Sequence, residues 1–191
     1  KGYLAHLLAG QTTVTASPAS FNNRMGLARA VNEHLGGGTD VFIAEMGTYG
    51  AGEIRDLCSW IPPEVAVLTA LGPVHLERMK TLEAIAVAKR EIFERAKVGV
   101  ILVDDPRLAQ IAIEESNTRR MITVSAAGED ADVTGDPVTR GISVSGQKIG
   151  QFDPDVIQLG NAACDLVPIL ALGFEVYTLG ERLMSLPTPP H

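Results

Sequence analysis

The chain has 191 residues, 46% of them apolar and 20% charged, which suits one domain with a core of ordinary size. A formal net charge of −7 and a pI near 5.1 leave no basic footprint for nucleic acid. No apolar run approaches the roughly 20 residues of a membrane helix, and Cys58 and Cys164 make no metal-type spacing, so they read as free thiols in a reducing cytoplasm.

In chain order, "KGYLAHLLA" reads as the tail of a helix ended by Gly10, and "TTVTA" as a short strand. "NNRMGLARAVNEHLGGG" is helical, with Asn22 or Asn23 as cap, Leu27, Val31 and Leu35 as the apolar stripe and three glycines as the stop. "DVFIAEM" is an unbroken apolar strand of the kind buried on both faces of a parallel sheet. "GEIRDLCSWI" is a short helix before Pro62-Pro63, and "EVAVLTAL" a second buried strand. A helix over 81–97 follows, capped by Thr81, with Ile85, Ala88 or Lys89, and Ile92 along one side. "GVILV" is a strand, Asp105-Pro106 starts the next helix as cap and first residue, and "MITVS" is another strand.

Strand and helix thus alternate over residues 11–125, which predicts an α/β fold with a mostly parallel, doubly wound sheet flanked by helices. Residues 126–150 are polar and turn-rich and predict a small antiparallel β element. Residues 160–186 return to helix, two of them meeting near Gly173, and "LPTPPH" reads as a linker to a further domain. Pro168 inside the first predicts a kink or a break.

Three segments stand where chemistry is expected. Ligands of parallel α/β sheets bind beyond the carboxyl ends of the strands. Glu45 ends one strand and opens into Gly47, Gly50 and Gly52; His75 follows the next strand across a Gly-Pro turn; Lys89 lies on the helix after His75. Singly, each has a plain reading: a solvated strand-end acid, a loop histidine, a surface lysine. Together and in this order they point to one site.

The ordered set "SPASFNNRMGL", "AEMGTYGAGEI", "LTALGPVHLERM" and "AVAKREIF" resembles the central ATP-binding, P-loop NTPase-like domain of the Mur ligases, over residues 1–125 and again at "LGNAACDLVPILALGFEVYTLGERL". The pattern is most similar to the D-alanyl-D-alanine-adding branch: Glu-x-Gly…Gly-Glu-Ile, Gly-Pro-x-His-Leu-Glu, Ala-Lys-x-Glu-Ile. Folate-adding and cyanophycin-type ligases share the same central domain, and a non-catalytic relative serving as a binding domain is the third reading.

The resemblance implies a cytoplasmic carbon–nitrogen ligase. Such an enzyme phosphorylates the carboxylate of a UDP-MurNAc-peptide with ATP and lets an amino acid or dipeptide attack the acyl phosphate, giving an amide of the peptidoglycan precursor. Charge accumulates in that transition state, so Mg²⁺ and cations would supply most of the catalysis. By resemblance Glu45, His75 and Lys89 are metal ligands, and His75 and Lys89 catalytic, Lys89 as the family's CO₂-carbamylated lysine. Ser17, Asn22 and Asn23 match substrate-binding positions, although a turn with a helix cap explains them equally. Asn161 matches the asparagine that contacts adenine, or else caps the helix 162–172.

Residues 1–186 are accordingly expected to form a Mur ligase central domain, with 187–191 as linker. The family's phosphate loop, Gly-x-x-x-x-Gly-Lys-Ser/Thr, does not occur in the 191 residues. It would directly precede Lys1, so these residues are expected not to catalyse ligation by themselves. Further departures are Leu102-Val103, where the family often has an Asn before its acids, the region 126–150, shorter than the family's usual β insertion, and Gln158-Leu159-Gly160, where a His usually precedes the asparagine.

Overall fold

The computed structural model describes residues 1–72, 76–128, 130–152, 159–174 and 183–186. Its elements are α1 (Gly2–Leu8), β1 (Val14–Ala16), α2 (Arg24–His34), β2 (Val41–Ile43), α3 (Glu53–Trp60), β3 (Val65–Leu68), α4 (Leu76–Met79), α5 (Leu82–Arg90), β4 (Val98–Leu102), α6 (Pro106–Glu115), β5 (Arg120–Ser125), β6 (Val133–Gly135), β7 (Gly141–Val144), β8 (Gln147–Gln151) and α7 (Leu159–Ala171). A 3-10 turn, Glu91–Phe93, continues α5.

The strands form two sheets. In the larger, β3, β4, β5 and β6 lie side by side in parallel, and β7 and β8 add antiparallel strands at the edge. The β1–β2 pair is parallel and separate, in register from Val14 against Val41 to Ala16 against Ile43. Helices cover both faces of the larger sheet. α1 and α7 bury Leu4, Leu7, Leu8, Leu166 and Ile169 against one face, with Val100 and Val124 from the strands. On the other face, α5 and α6 bury Ala86, Leu108 and Ile111 with Ile101. Val100 and Ile101 are adjacent and enter opposite cores, which is why parallel strands read as continuous apolar runs.

The helix starts follow the capping residues. Asn23 accepts from Gly26 N at 2.9 Å, Thr81 from Ala84 N at 3.1 Å and Asp105 from Arg107 N at 2.8 Å. Other expectations are corrected. On α2 the fully buried residues are Leu27 and Ala30, whereas Leu35 is exposed just past the helix end. β2 stops at Ile43 and is half-buried on both faces. The helix expected over 81–97 ends at Arg90 and tightens, Glu94 N donating to Glu91 O at 3.1 Å.

The antiparallel element expected over 126–150 is present as β6, β7 and β8, and β6 joins it to the main sheet by pairing in parallel with β5. α7 is already helical at Leu159, so Asn161 sits within it rather than at its cap. The helix continues through Pro168, and Leu172 N still donates to Pro168 O at 2.9 Å. Gly173, at φ +80°, ends it, with Phe174 N donating back to Ile169 O at 3.0 Å. The second helix expected after Gly173 falls largely outside the described residues, as does the 187–191 linker.

Candidate functional site

A cleft of about 930 Å³ separates the two sheets. Consecutive residues of β2 (Val41, Phe42, Ile43) and of β3 (Val65, Ala66, Val67, Leu68) all line it. Alternate residues of a strand point to opposite faces, so a cleft touched by every residue is bounded by strand edges. This is the physical reason that β2 is only half-buried. Glu45, Lys89 and Asn161 line the same cleft.

Glu45 follows the end of β2 and is held there by its backbone. The ladder is handed from main chain to side chain: Ser17 N donates to Ile43 O at 2.9 Å, and Glu45 N then donates to Ser17 Oγ at 3.2 Å. Ser17 is 2% exposed, so its hydroxyl is a buried fastening for the Glu45 backbone. The Glu45 carboxylate is 45% exposed; Lys1 Nζ stands 3.0 Å from Oε2 and Asn22 Nδ2 donates to Oε1 at 3.5 Å. Lys1 Nζ also donates to Ala19 O.

The two asparagines divide their work. Asn23 caps α2. Asn22 faces the Glu45 loop, accepting from Gly47 N at 2.7 Å through its carbonyl and laying its side chain over Gly47. A Cβ on Gly47 would stand 3.0 Å from the Asn22 amide, so glycine lets the loop pass close under it.

Lys89 projects from the last turn of α5. Its Nζ donates to Ala70 O at 2.7 Å, two residues past the end of β3. Burial pushes its amine below the ordinary lysine value. A lysine half out of water, fixed by one carbonyl, has a larger neutral fraction than a solvated one, as reaction with CO₂ requires. His75 lies outside the described residues.

Among the described residues no three of His, Cys, Asp and Glu stand close enough to enclose a metal ion. Magnesium asks for less: one or two carboxylates, with water and substrate phosphates completing its shell. Glu45 supplies one such carboxylate, partly solvated just past the end of β2; the Lys1 ammonium now paired with it would have to give way to a metal ion.

Two carboxylates were missed by sequence reasoning. Asp165 lines the cleft from α7, accepts from Leu4 N at 3.3 Å, and burial pushes its carboxyl above the ordinary range. Glu91, 4% exposed, accepts from Gly52 N at 2.7 Å and Arg55 N at 3.1 Å. Both carried a signal. Asp165 is a lone acid in the apolar run "AACDLVPIL", and Glu91 falls on the buried stripe two helical steps of three after Ile85.

The Mur ligase middle domain profile matches residues 1–160. A UDP-N-acetylmuramoyl-tripeptide–D-alanyl-D-alanine ligase of Mycobacterium leprae (strain TN) is 34% identical over 119 residues, 59% of this chain and 22% of that protein. The enzyme of the same name from Mycobacterium bovis (strain ATCC BAA-935 / AF2122/97) is 32% identical over 146 residues, 73% of this chain and 27% of that protein. The crystal structure of a MurF ligase from Thermotoga maritima in complex with ADP superposes with a TM-score of 0.81 at 28% identity, covering 100% of this chain and 46% of that one. The chain thus spans about a quarter of the length of these curated relatives.

Proposed function

The chain belongs to the Mur ligase family through its middle domain, and on that premise we propose that it forms the nucleotide-handling core of a ligase that couples ATP hydrolysis to amide formation on a UDP-MurNAc-peptide. The amine would be an amino acid or dipeptide, D-alanyl-D-alanine first among them because the relatives at 32–34% identity carry that name. The place of work is the cytoplasm, where nucleotide-sugar precursors and ATP are found; no helix among the described residues is long and apolar enough to cross a membrane.

The observation that carries this reading is that Glu45, just past β2, and Lys89, tied to Ala70 just past β3, line one gap between the two strand edges together with Asn161. Glu45, Lys89 and His75 would hold magnesium, which when bound would neutralise phosphate charge during transfer. Lys89 is suited to its part by its lowered amine: attack on CO₂ forms an N–C bond and releases a proton, leaving a carbamate, a carboxylate on an arm longer than that of glutamate. Asn161 would face the adenine, and Asn22, over the Glu45 loop, the acceptor side. Ser17 and Asn23 support the same loop and helix from beneath.

The test uses the full-length protein with ATP and Mg²⁺. Phosphate release that needs both UDP-MurNAc-tripeptide and D-alanyl-D-alanine is the expected result. Ligation of glutamate to a folate, with none on UDP-MurNAc-peptides, would overturn the substrate assignment; nucleotide binding without any ligation would leave only a binding domain.

A further inference from the structure

The lysine helix and the glutamate loop are joined by one buried carboxylate. Glu91 sits two residues after Lys89, in the 3-10 turn that continues α5. Its Oε1 accepts from Gly52 N at 2.7 Å and its Oε2 from Arg55 N at 3.1 Å, across 39 and 36 residues of chain. These are two of the first N–H groups of α3, whose own cap residue, Gly52 at φ +90°, has no side chain to satisfy them. Glu91 therefore caps α3 from another element. A charged acceptor on helix N–H groups makes a strong hydrogen bond and suits the positive end of the helix.

The segment between Glu45 and Gly52 is fixed at both ends. At the first end Glu45 N and Gly47 N are held by Ser17 Oγ and Asn22 O. At the second, Gly52 N is held by Glu91. In between, Thr48 Oγ1 accepts from Gly50 N at 3.0 Å and Tyr49 N donates to Glu53 Oε2 at 2.6 Å, so the loop is folded on itself between its two fixed ends. Arg55 braces the same joint, its Nη2 lying 3.4 Å from Glu91 Oε1 and 2.7 Å from Glu94 Oε1.

We propose that Glu91 is a positioning residue that locks the Glu45 loop to the Lys89 helix and so sets the spacing of the two groups across the cleft. Glu91 itself touches neither substrate nor reacting atoms. The inference rests on the reading of Glu45 and Lys89 as partners in one site.

The test is Glu91→Gln in the full-length protein, read first by amide hydrogen exchange. An amide group keeps one acceptor oxygen and turns an NH₂ toward the other backbone N–H, so one clamp is lost. The expected result is exchange at least tenfold faster at Glu45 and Gly47 as well as at Gly52 and Arg55, with the β4 and β5 amides unchanged. Faster exchange confined to Gly52 and Arg55, or no change, would overturn the proposal and leave Glu91 a helix cap or less. If Glu91→Gln loosens the whole domain, Glu91→Asp, which keeps the charge and shortens the arm, carries the same comparison. The second reading is Mn²⁺ binding in the presence of ATP, followed by electron paramagnetic resonance. The variant is expected to bind at least tenfold more weakly than wild type, and equal binding would overturn the proposal. Wild type that binds no Mn²⁺ with ATP would instead sink the ligase reading, while the exchange pattern still decides the role of Glu91.

Discussion

Lys89 Nζ donates to the carbonyl oxygen of Ala70 at 2.7 Å, tying the last turn of α5 to the chain just beyond β3. One hydrogen bond thereby fixes where a partly buried amine stands at the cleft, and burial lowers its pKa from the ordinary lysine value. The spacing of the sequence alone would leave that amine on a solvated helix face.

If the amine works as a carbamate, Lys89→Ala in the full-length enzyme will lose ligation by on the order of 10²-fold or more, the scale of losing one electrostatic group at a transition state. Short-chain carboxylates in solution will restore part of the rate by filling the vacated space. Lys89→Glu will recover little, and bicarbonate depletion will slow wild type but not Lys89→Ala. Ordinary turnover in Lys89→Ala, indifferent to bicarbonate and carboxylates, would return this residue to a structural role.

The same burial gives a stability signature. A lysine whose folded value is depressed destabilises the fold most below that value, where the ammonium must stay buried. As pH rises from there toward the ordinary 10.5, the folded state gives up its proton first and the unfolded state holds more protons. Unfolding free energy therefore gains with pH across that window. Lys89→Met will abolish the gain, seen as a wild-type-minus-variant difference in denaturant midpoint that grows toward alkaline pH. A difference flat with pH would remove desolvation as the cause.

Glu45→Ala and Ser17→Ala will separate chemistry from support. The Glu45 carboxylate is 45% exposed, so its loss will shift stability by about 0.5 kcal/mol or less while removing most ligation. Ser17 is buried and accepts from Glu45 N. Its alanine variant strands a backbone N–H and will cost roughly 1–3 kcal/mol, measurable by equilibrium unfolding. Equal stability losses in the two variants would contradict this division.

Burial raises Cys58 to about 11 and raises Cys164 further. Neither forms thiolate near neutral pH, so both will resist thiol reagents in the folded protein and react together on unfolding. Fast labelling of Cys58 under native conditions would show that α3 opens readily.

Much of the site could be read because it depends on strand ends. Asn23, Thr81 and Asp105 cap where residue type and position said they would, since an N-cap is a local device. Of the two readings of Asn161 the cap fails: the chain is already helical at Leu159, and Gly160 packs against Leu102 of β4. Glu91 escaped notice because its partners are 36 and 39 residues away.

By itself the sequence determined the alternation of strand and helix, the helix caps, and the ordered set of Glu45, His75 and Lys89 that carries the family resemblance. These follow from periodicity and short-range hydrogen bonding, which a linear chain displays. Only the tertiary structure decided that β6 pairs in parallel with β5 and carries the β7–β8 hairpin into the main sheet. It alone made Ser17 a buried fastening for Glu45, left the Lys89 amine partly desolvated, and gave α3 its cap from Glu91. Burial and hydrogen bonds between distant segments depend on how elements pack, and no spacing along the chain records them.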